Sequence, residues 1–158
     1  MALFIGTVLN KVDRKGRVSV PASFRAALAG TGFAGIVAFP SVQHRGLECC
    51  GSNFMERLAA SLYDIDTFSE RQNDLAASIF ASAHQIAFDS EGRIVLPTAL
   101  IEHTGIADEA AFVGQGLRFQ IWEPKAQRAF YAAALERSRR DGLALKVRPP
   151  EGGKDGGA

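Results

Sequence analysis

The 158-residue chain is 47% hydrophobic and 22% charged, the balance of an ordinary globular protein with one core or two small, closely joined cores. No apolar run approaches the length of a membrane span and no secretory signal is recognisable, so we expect a cytoplasmic protein without a membrane partner. The adjacent thiols Cys49 and Cys50 are expected to stay reduced on a strand. Cysteines and histidines show no metal-ligand spacing, so no cofactor is predicted.

The net charge of +1 conceals an uneven distribution along the chain. Residues 1–30 hold five basic residues and one acidic residue, whereas residues 53–87 hold two basic and five acidic residues. A basic N-terminal region is consistent with an anionic partner at that end of the protein.

The first predicted element is a strand over residues 4–12, which are rich in apolar and β-branched side chains. Residues 13–16 predict a tight turn, because Asp13 can bond its own downstream backbone and Gly16 tolerates positive φ. The alternating residues 17–20 predict the returning strand, followed by a short helix over 21–28 and by strands at 35–39 and 46–50.

Two helices are predicted between residues 52 and 84. The first begins after a cap at Ser52 or Asn53, and the second opens with Thr67 and Glu70 at the spacing of a capping box. Apolar side chains on these helices are either internal core or a surface for contact between subunits. These side chains are Phe54, Leu58, Leu62, Phe68 and Ile79.

The skeleton of the first unit returns 76 residues later. Asp13, Gly16, Arg17 and Pro21 align with Asp89, Gly92, Arg93 and Pro97, and we align strand 35–39 with residues 111–115. A helix is predicted from Pro124 to Gly142, followed by a polar tail rich in Pro and Gly. We therefore divide the chain into a first unit (1–52), a helical insert (53–84), a second unit (85–123), a C-terminal helix (124–142) and a disordered tail (143–158).

This duplication predicts an α+β fold in which two incomplete units complete each other across a pseudo-two-fold axis. A single unit of about 45 residues buries too little core to be stable alone. Fusing two units in one chain makes their docking intramolecular.

The spacing Asp-x-x-x-Arg recurs in both predicted turns, at Asp13/Arg17 and at Asp89/Arg93. The carboxylate can pair with the guanidinium, whose planar fork can engage a phosphate or a guanine edge. The spacing alone favours the alternative that each pair only clips its hairpin together, because such surface ion pairs are common.

The two turns differ in charge, which helps to separate these alternatives. The first turn carries Arg14 and Lys15, and Lys11 precedes it, whereas the second turn carries Ser90 and Glu91 at the matching positions. A purely structural motif does not require the extra basic residues, which would meet neighbouring phosphates. We therefore expect Arg17 to be the main contact and Arg93 the weaker one.

The segments FIGTVLNKVDRKGRVSVPASFR, FDSEGRIVLP and FVGQGLRFQIWEP resemble the MraZ family of bacterial transcriptional regulators, over roughly residues 3 to 135. The resemblance implies two AbrB/MazE-like swapped-hairpin β-barrel units in one polypeptide. It implies double-stranded DNA as partner, at short direct repeats in the promoter of the division and cell-wall gene cluster. It further implies a nucleoid-associated repressor and autoregulator that forms a homo-oligomeric ring, an octamer or a dodecamer.

The resemblance also assigns residues to DNA contact. In the first turn these are Asp13, Arg14, Lys15, Gly16 and Arg17, to which the charge pattern adds Lys11; in the second turn they are Asp89, Gly92 and Arg93. The alternative function is a scaffold or interaction protein that uses the duplicated hairpins only for assembly. No catalytic constellation or phosphate-binding loop is recognisable, so we expect neither an enzyme nor a small-molecule substrate.

Overall fold

The secondary structure follows the duplicated pattern in a computed structural model that describes residues 2–151. The first repeat contains β1 (Thr7–Lys11), β2 (Arg17–Ser19), α1 (Ala22–Leu28), β3 (Gly35–Pro40) and β4 (Leu47–Cys50). The insert contains α2 (Ser52–Leu62), α3 (Glu70–Leu75) and a π-helical segment (Ala76–Ala81). The second repeat contains β5 (His84–Ala87), β6 (Arg93–Val95), α4 (Thr98–Thr104), β7 (Glu109–Gly114) and β8 (Phe119–Trp122), and α5 (Pro124–Asp141) follows it.

The two repeats exchange strands. A six-stranded antiparallel sheet has the order β1-β7-β8-β4-β3-β5, and a two-stranded ribbon pairs β2 with β6. The first strand of each repeat therefore pairs with the third strand of the other, β1 with β7 and β5 with β3. The pseudo-two-fold axis passes between Val18 and Ile94 in the ribbon and between Glu48 and Gln120 in the sheet. This arrangement confirms the predicted α+β fold of two mutually completing units.

The strand register corrects one part of the repeat alignment. Val8 pairs with Phe112, and its equivalent 76 residues later, His84, pairs with Ala38, so Phe112 is the structural equivalent of Ala38. Strand 35–39 therefore corresponds to residues 109–113, and the predicted match to 111–115 is wrong. The cause is a shorter connection: residues 29–34 link α1 to β3, whereas only residues 105–108 link α4 to β7.

The ribbon packs against the inner face of the six-stranded sheet and encloses a single core. Because side chains alternate along a strand, Val18 and Ile94 point inward and are 1% exposed, while their neighbours point outward. The centre of the core holds four aromatic rings, whose centroids lie 4.9 to 6.4 Å apart; they belong to Phe4, Phe24, Phe112 and Phe119. Burying each ring contributes about 1.5–3 kcal/mol to the stability of this core.

The helix starts in the insert differ from the predicted ones. Gly51 is the N-cap of α2, so the helix begins at Ser52 and not after it. Ser69 caps α3 by accepting a hydrogen bond from the backbone N–H of Gln72, so the predicted capping box of Thr67 and Glu70 is wrong. The side-chain oxygen of Gln72 also accepts the backbone N–H of Phe68, which has a φ of +66°, and this contact shifts the start of the helix.

The chain divides at Arg128 into two compact units. Helix α5 begins at Pro124, as predicted, and continues through the second unit to Asp141. Residues 143–150 form neither helix nor strand, and the last seven residues of the predicted disordered tail, 152–158, lie outside the described residues. Among residues 2–151, no helix combines the length and the apolar character needed to cross a bilayer.

The two cysteines are free and buried on β4, as the sequence predicts. Burial raises the pKa of Cys50 to about 12 and raises that of Cys49 well above its ordinary value. Both thiols therefore stay protonated at neutral pH, which makes them poor nucleophiles and poor metal ligands.

Candidate nucleic-acid interface

The first turn is closed by the carboxylate of Asp13. Its Oδ1 accepts the backbone N–H groups of Lys15 and Arg17, both at 2.9 Å, and its Oδ2 accepts Nε of Arg17 at 2.6 Å. Gly16 completes the turn with a φ of +80°, a conformation that disfavours side chains with a Cβ. One carboxylate therefore shapes the backbone and also fixes the direction of the Arg17 side chain.

The second turn repeats this geometry. Asp89 Oδ1 accepts the backbone N–H groups of Glu91 at 2.8 Å and Arg93 at 2.9 Å, and its Oδ2 accepts Nε of Arg93 at 2.8 Å. Gly92 has a φ of +77°. The shared Asp, Gly and Arg thus have a structural role in both hairpins, as the clip hypothesis requires. That role uses only the Nε side of each guanidinium.

The turns differ at the remaining guanidinium nitrogens. Within residues 2–151, neither Nη of Arg17 has a hydrogen bond or an ion pair, and 34% of the side chain is exposed. In contrast, Nη2 of Arg93 lies 3.8 Å from Oε1 of Glu91. Arg17 therefore presents an oriented fork with its outer edge open, whereas a neighbouring carboxylate attracts the edge of Arg93.

The basic residues beside the first turn are also exposed. Arg14 and Lys15 occupy its tip, and Lys11 lies at the end of β1. None of their side chains forms an ion pair within the described part of the chain. They are therefore available to phosphates on either side of any group that Arg17 contacts.

Arg25, which the sequence patterns did not single out, lies beside the second turn. It lies on α1 and donates from Nη1 to the carbonyl oxygen of Val20 at 2.5 Å. Its guanidinium covers the second turn, since a Cβ placed on Gly92 would lie 2.8 Å from Nε of Arg25. The equivalent residue over the first turn is Ile101, whose Cδ1 would lie 3.7 Å from a Cβ placed on Gly16. The positive charge of Arg25 therefore offsets part of the negative charge that the five residues of the second turn carry.

The swapped ribbon brings both turns to one surface. The carbonyl oxygen of Gly16 accepts the backbone N–H of Leu96 at 2.9 Å, and that of Gly92 accepts the backbone N–H of Val20 at 3.2 Å. The two turns therefore flank opposite ends of the ribbon. Gly16 and Val20, which flank β2, are four residue steps apart, or about 13 Å at 3.3 Å per residue. Arg17 and Arg93 both point outward. A two-stranded ribbon of this kind fits the major groove of B-DNA.

Hydrogen bonds hold the pKa of both turn carboxylates below their ordinary value of 3.8. For Asp13 the largest cause is the backbone N–H of Arg17, followed among the stabilising contacts by the Arg17 side chain. The ionised carboxylate stabilises the fold above its unfolded-state pKa. This contribution is lost as the pH falls through the lower folded-state pKa.

We expect the Asp13 pKa to rise in an Arg17→Ala variant but to stay below 3.8, because the backbone amides of residues 15 and 17 still donate to it. A pH titration of the side-chain carboxyl carbon by NMR measures this value, with Asp89 as the internal reference. A full return of the Asp13 pKa to 3.8 would show that the guanidinium, and not the backbone, closes the turn.

The predicted apolar helix residues are half-buried or exposed, and none lies in the interior. Phe54, Leu58 and Ile79 line an open pocket of about 170 Å³ next to Cys50, Leu62 is half-buried, and Phe68 is 87% exposed. Within the described residues, no group of three or more His, Cys, Asp or Glu side chains is arranged to hold a metal ion.

Strand exchange between two repeats, each with an Asp-x-x-x-Arg turn, defines the class of duplicated swapped-hairpin proteins. A family model described as "MraZ protein, putative antitoxin-like" matches residues 79–146. The Transcriptional regulator MraZ of Rickettsia bellii (strain OSU 85-389) is 39% identical over 147 residues, which cover 92% of this chain and 98% of that protein. The protein of the same name from Pelagibacter ubique (strain HTCC1062) is 42% identical over 144 residues, covering 91% and 93%.

The chain belongs to the MraZ family, as the sequence resemblance predicted. The relatives carry the name of a regulator, which is a non-enzymatic role, in agreement with the expectation of no catalytic function.

Proposed function

We propose that the chain is a sequence-specific, DNA-binding transcriptional regulator whose main DNA contact is the first turn. The observation that carries the proposal is the guanidinium of Arg17, fixed through Nε by Asp13 while its Nη edge has no partner within residues 2–151. A fork in this state can donate two hydrogen bonds to O6 and N7 of a guanine without first losing another contact.

The neighbouring residues either shape the turn or bind phosphate. Asp13 and Gly16 set the turn, while Lys11, Arg14 and Lys15 bind phosphates and supply affinity without sequence information. In the second turn, Asp89 and Gly92 repeat the scaffold. Arg93 makes a weaker contact, because Glu91 competes with DNA for its outer nitrogens.

A single turn contacting a few base pairs binds weakly, so the proposal includes assembly of several copies. As the family resemblance implies, the copies form a ring, an octamer or a dodecamer, whose turns grip short direct repeats upstream of the division and cell-wall genes. Binding there represses the gene cluster and the regulator's own gene, and it places the protein at the nucleoid. A rigid frame raises the effective concentration of each later contact, so avidity can increase by orders of magnitude.

The test is an unbiased selection of bound duplexes from fragmented genomic DNA, followed by titration of the selected duplex at rising salt. We expect enrichment of direct repeats, and a fall in log affinity with log salt of about 0.9 for each phosphate contact. A duplex of the same composition in scrambled order is the control. No binding in dilute buffer by a correctly assembled oligomer would favour the scaffold function.

A further inference from the structure

The exposed face of the β2–β6 ribbon carries a residue that neither the clip nor the basic turn explains. Val18 and Ile94 fill the inner face, so Arg17, Ser19, Arg93 and Val95 form the outer face. Val95, the last residue of β6, is an apolar β-branched side chain that is 52% exposed on a face that also carries Arg17 and Arg93.

The register places this side chain directly beside the base-reading arginine. Arg17 and Val95 are paired across the antiparallel ribbon, and such partners have Cα atoms about 4.5–5.5 Å apart. Successive base pairs are about 3.4 Å apart, so groups on paired residues lie within one or two base steps of each other. The hydrogen bond from Arg17 Nε to Asp13 Oδ2, at 2.6 Å, directs the Arg17 side chain toward its own turn.

If the ribbon enters the major groove, as the proposed function requires, Val95 meets the base edges. The only apolar group that a base pair presents there is the 5-methyl group of thymine, which small apolar side chains contact in DNA recognition. We infer that Val95 packs on a thymine methyl next to the base read by Arg17 and thereby determines part of the sequence specificity.

The pseudo-symmetric position carries different chemistry. The equivalent of Val95 in the first repeat is Ser19, which pairs with Arg93 and has its carbonyl oxygen bonded to Nδ2 of Asn10 at 2.7 Å. A serine hydroxyl can bond several base edges and has no preference for a methyl group. One end of the ribbon therefore selects thymine and the other does not, so a single protomer reads an asymmetric site despite its symmetric backbone.

The experiment removes only the methyl group. Each thymine of a duplex selected from a random library by the wild-type protein is replaced in turn by deoxyuridine, which keeps all base-pair hydrogen bonds. At one position we expect a loss of affinity of about fourfold, the equivalent of exposing one methyl group. The Val95→Ala variant should lose most of this thymine preference, because its side chain ends at Cβ, while its salt slope stays at the wild-type value.

Two control variants accompany the test. Val42→Ala makes the same substitution at a valine that is 80% exposed and outside the ribbon, and it should keep the full thymine preference. Ser19→Ala should also keep it, because Ser19 lies at the other end of the ribbon. An undiminished thymine preference in Val95→Ala, or no sensitive thymine anywhere, would overturn the inference while leaving the regulator proposal intact. Absence of any binding to the thymine duplex would overturn both.

Discussion

Arg17→Ala is expected to cause the largest loss of DNA binding of any single substitution, about 5- to 150-fold for each repeat engaged. This range corresponds to the 1–3 kcal/mol of a bidentate arginine–guanine contact. The loss multiplies when several copies bind one fragment. The turn itself should persist, because two backbone amides still donate to Asp13 Oδ1. Fluorescence anisotropy with a labelled direct-repeat duplex measures the affinity, and size-exclusion chromatography checks that assembly is unchanged.

Arg71→Ala is the matched control for this variant. Arg71 is exposed on α3 in the acidic insert, so its removal changes the net charge by the same amount without touching either turn. We expect a change of less than about twofold, since exposed charges beyond the Debye length of about 8 Å are screened at physiological salt. Wild-type affinity in Arg17→Ala would remove this arginine from its central role.

The second large effect is expected from Lys15→Glu, which gives the first turn the acidic residue of the second. In the second turn, Oε1 of Glu91 already lies 3.8 Å from Nη2 of Arg93. The same carboxylate at position 15 should attract the open edge of Arg17 and repel phosphate. We expect at least a tenfold loss, against less than about threefold for Arg93→Ala.

The reciprocal variant Glu91→Lys sharpens this comparison. It releases Arg93 from its acidic neighbour and should strengthen binding, with a steeper dependence on salt. The same anisotropy titration covers all three variants. Equal losses in Lys15→Glu and Arg93→Ala would show that both turns contact DNA alike, and the charge argument for the first turn would then fail.

Much of the fold was predictable because it depends on local patterns. Alternation in residues 17–20, and Asp and Gly at fixed offsets in both turns, specify hairpins through interactions that span at most five residues. The N-cap of α3 was not predictable in this way. The choice between Thr67 and Ser69 depends on Gln72, whose side chain bonds the backbone of Leu62, Ile65 and Phe68.

The geometry of the two turns was predictable from the sequence, but the surroundings of the turns were not. The spacing of Asp13 and Arg17 predicts their ion pair, and the charge at the tip of the first turn predicts the difference in charge between the two turns. Arg25 could not be assigned, since it is 67 residues away from Gly92 in sequence and reaches it only because the repeats exchange strands. Val95 had no visible role until the register placed it opposite Arg17.

Strand exchange also bears on how the nascent chain folds. Thr7 pairs with Val113, so β1 has no strand partner until the ribosome has added 106 more residues. At 5–20 residues per second, this wait lasts roughly 5 to 20 seconds. Throughout that time the amino-terminal hairpin can pair with the same hairpin of another polypeptide on the same messenger. Until its own β7 has been made, the chain is therefore open to exchange of strands with another copy.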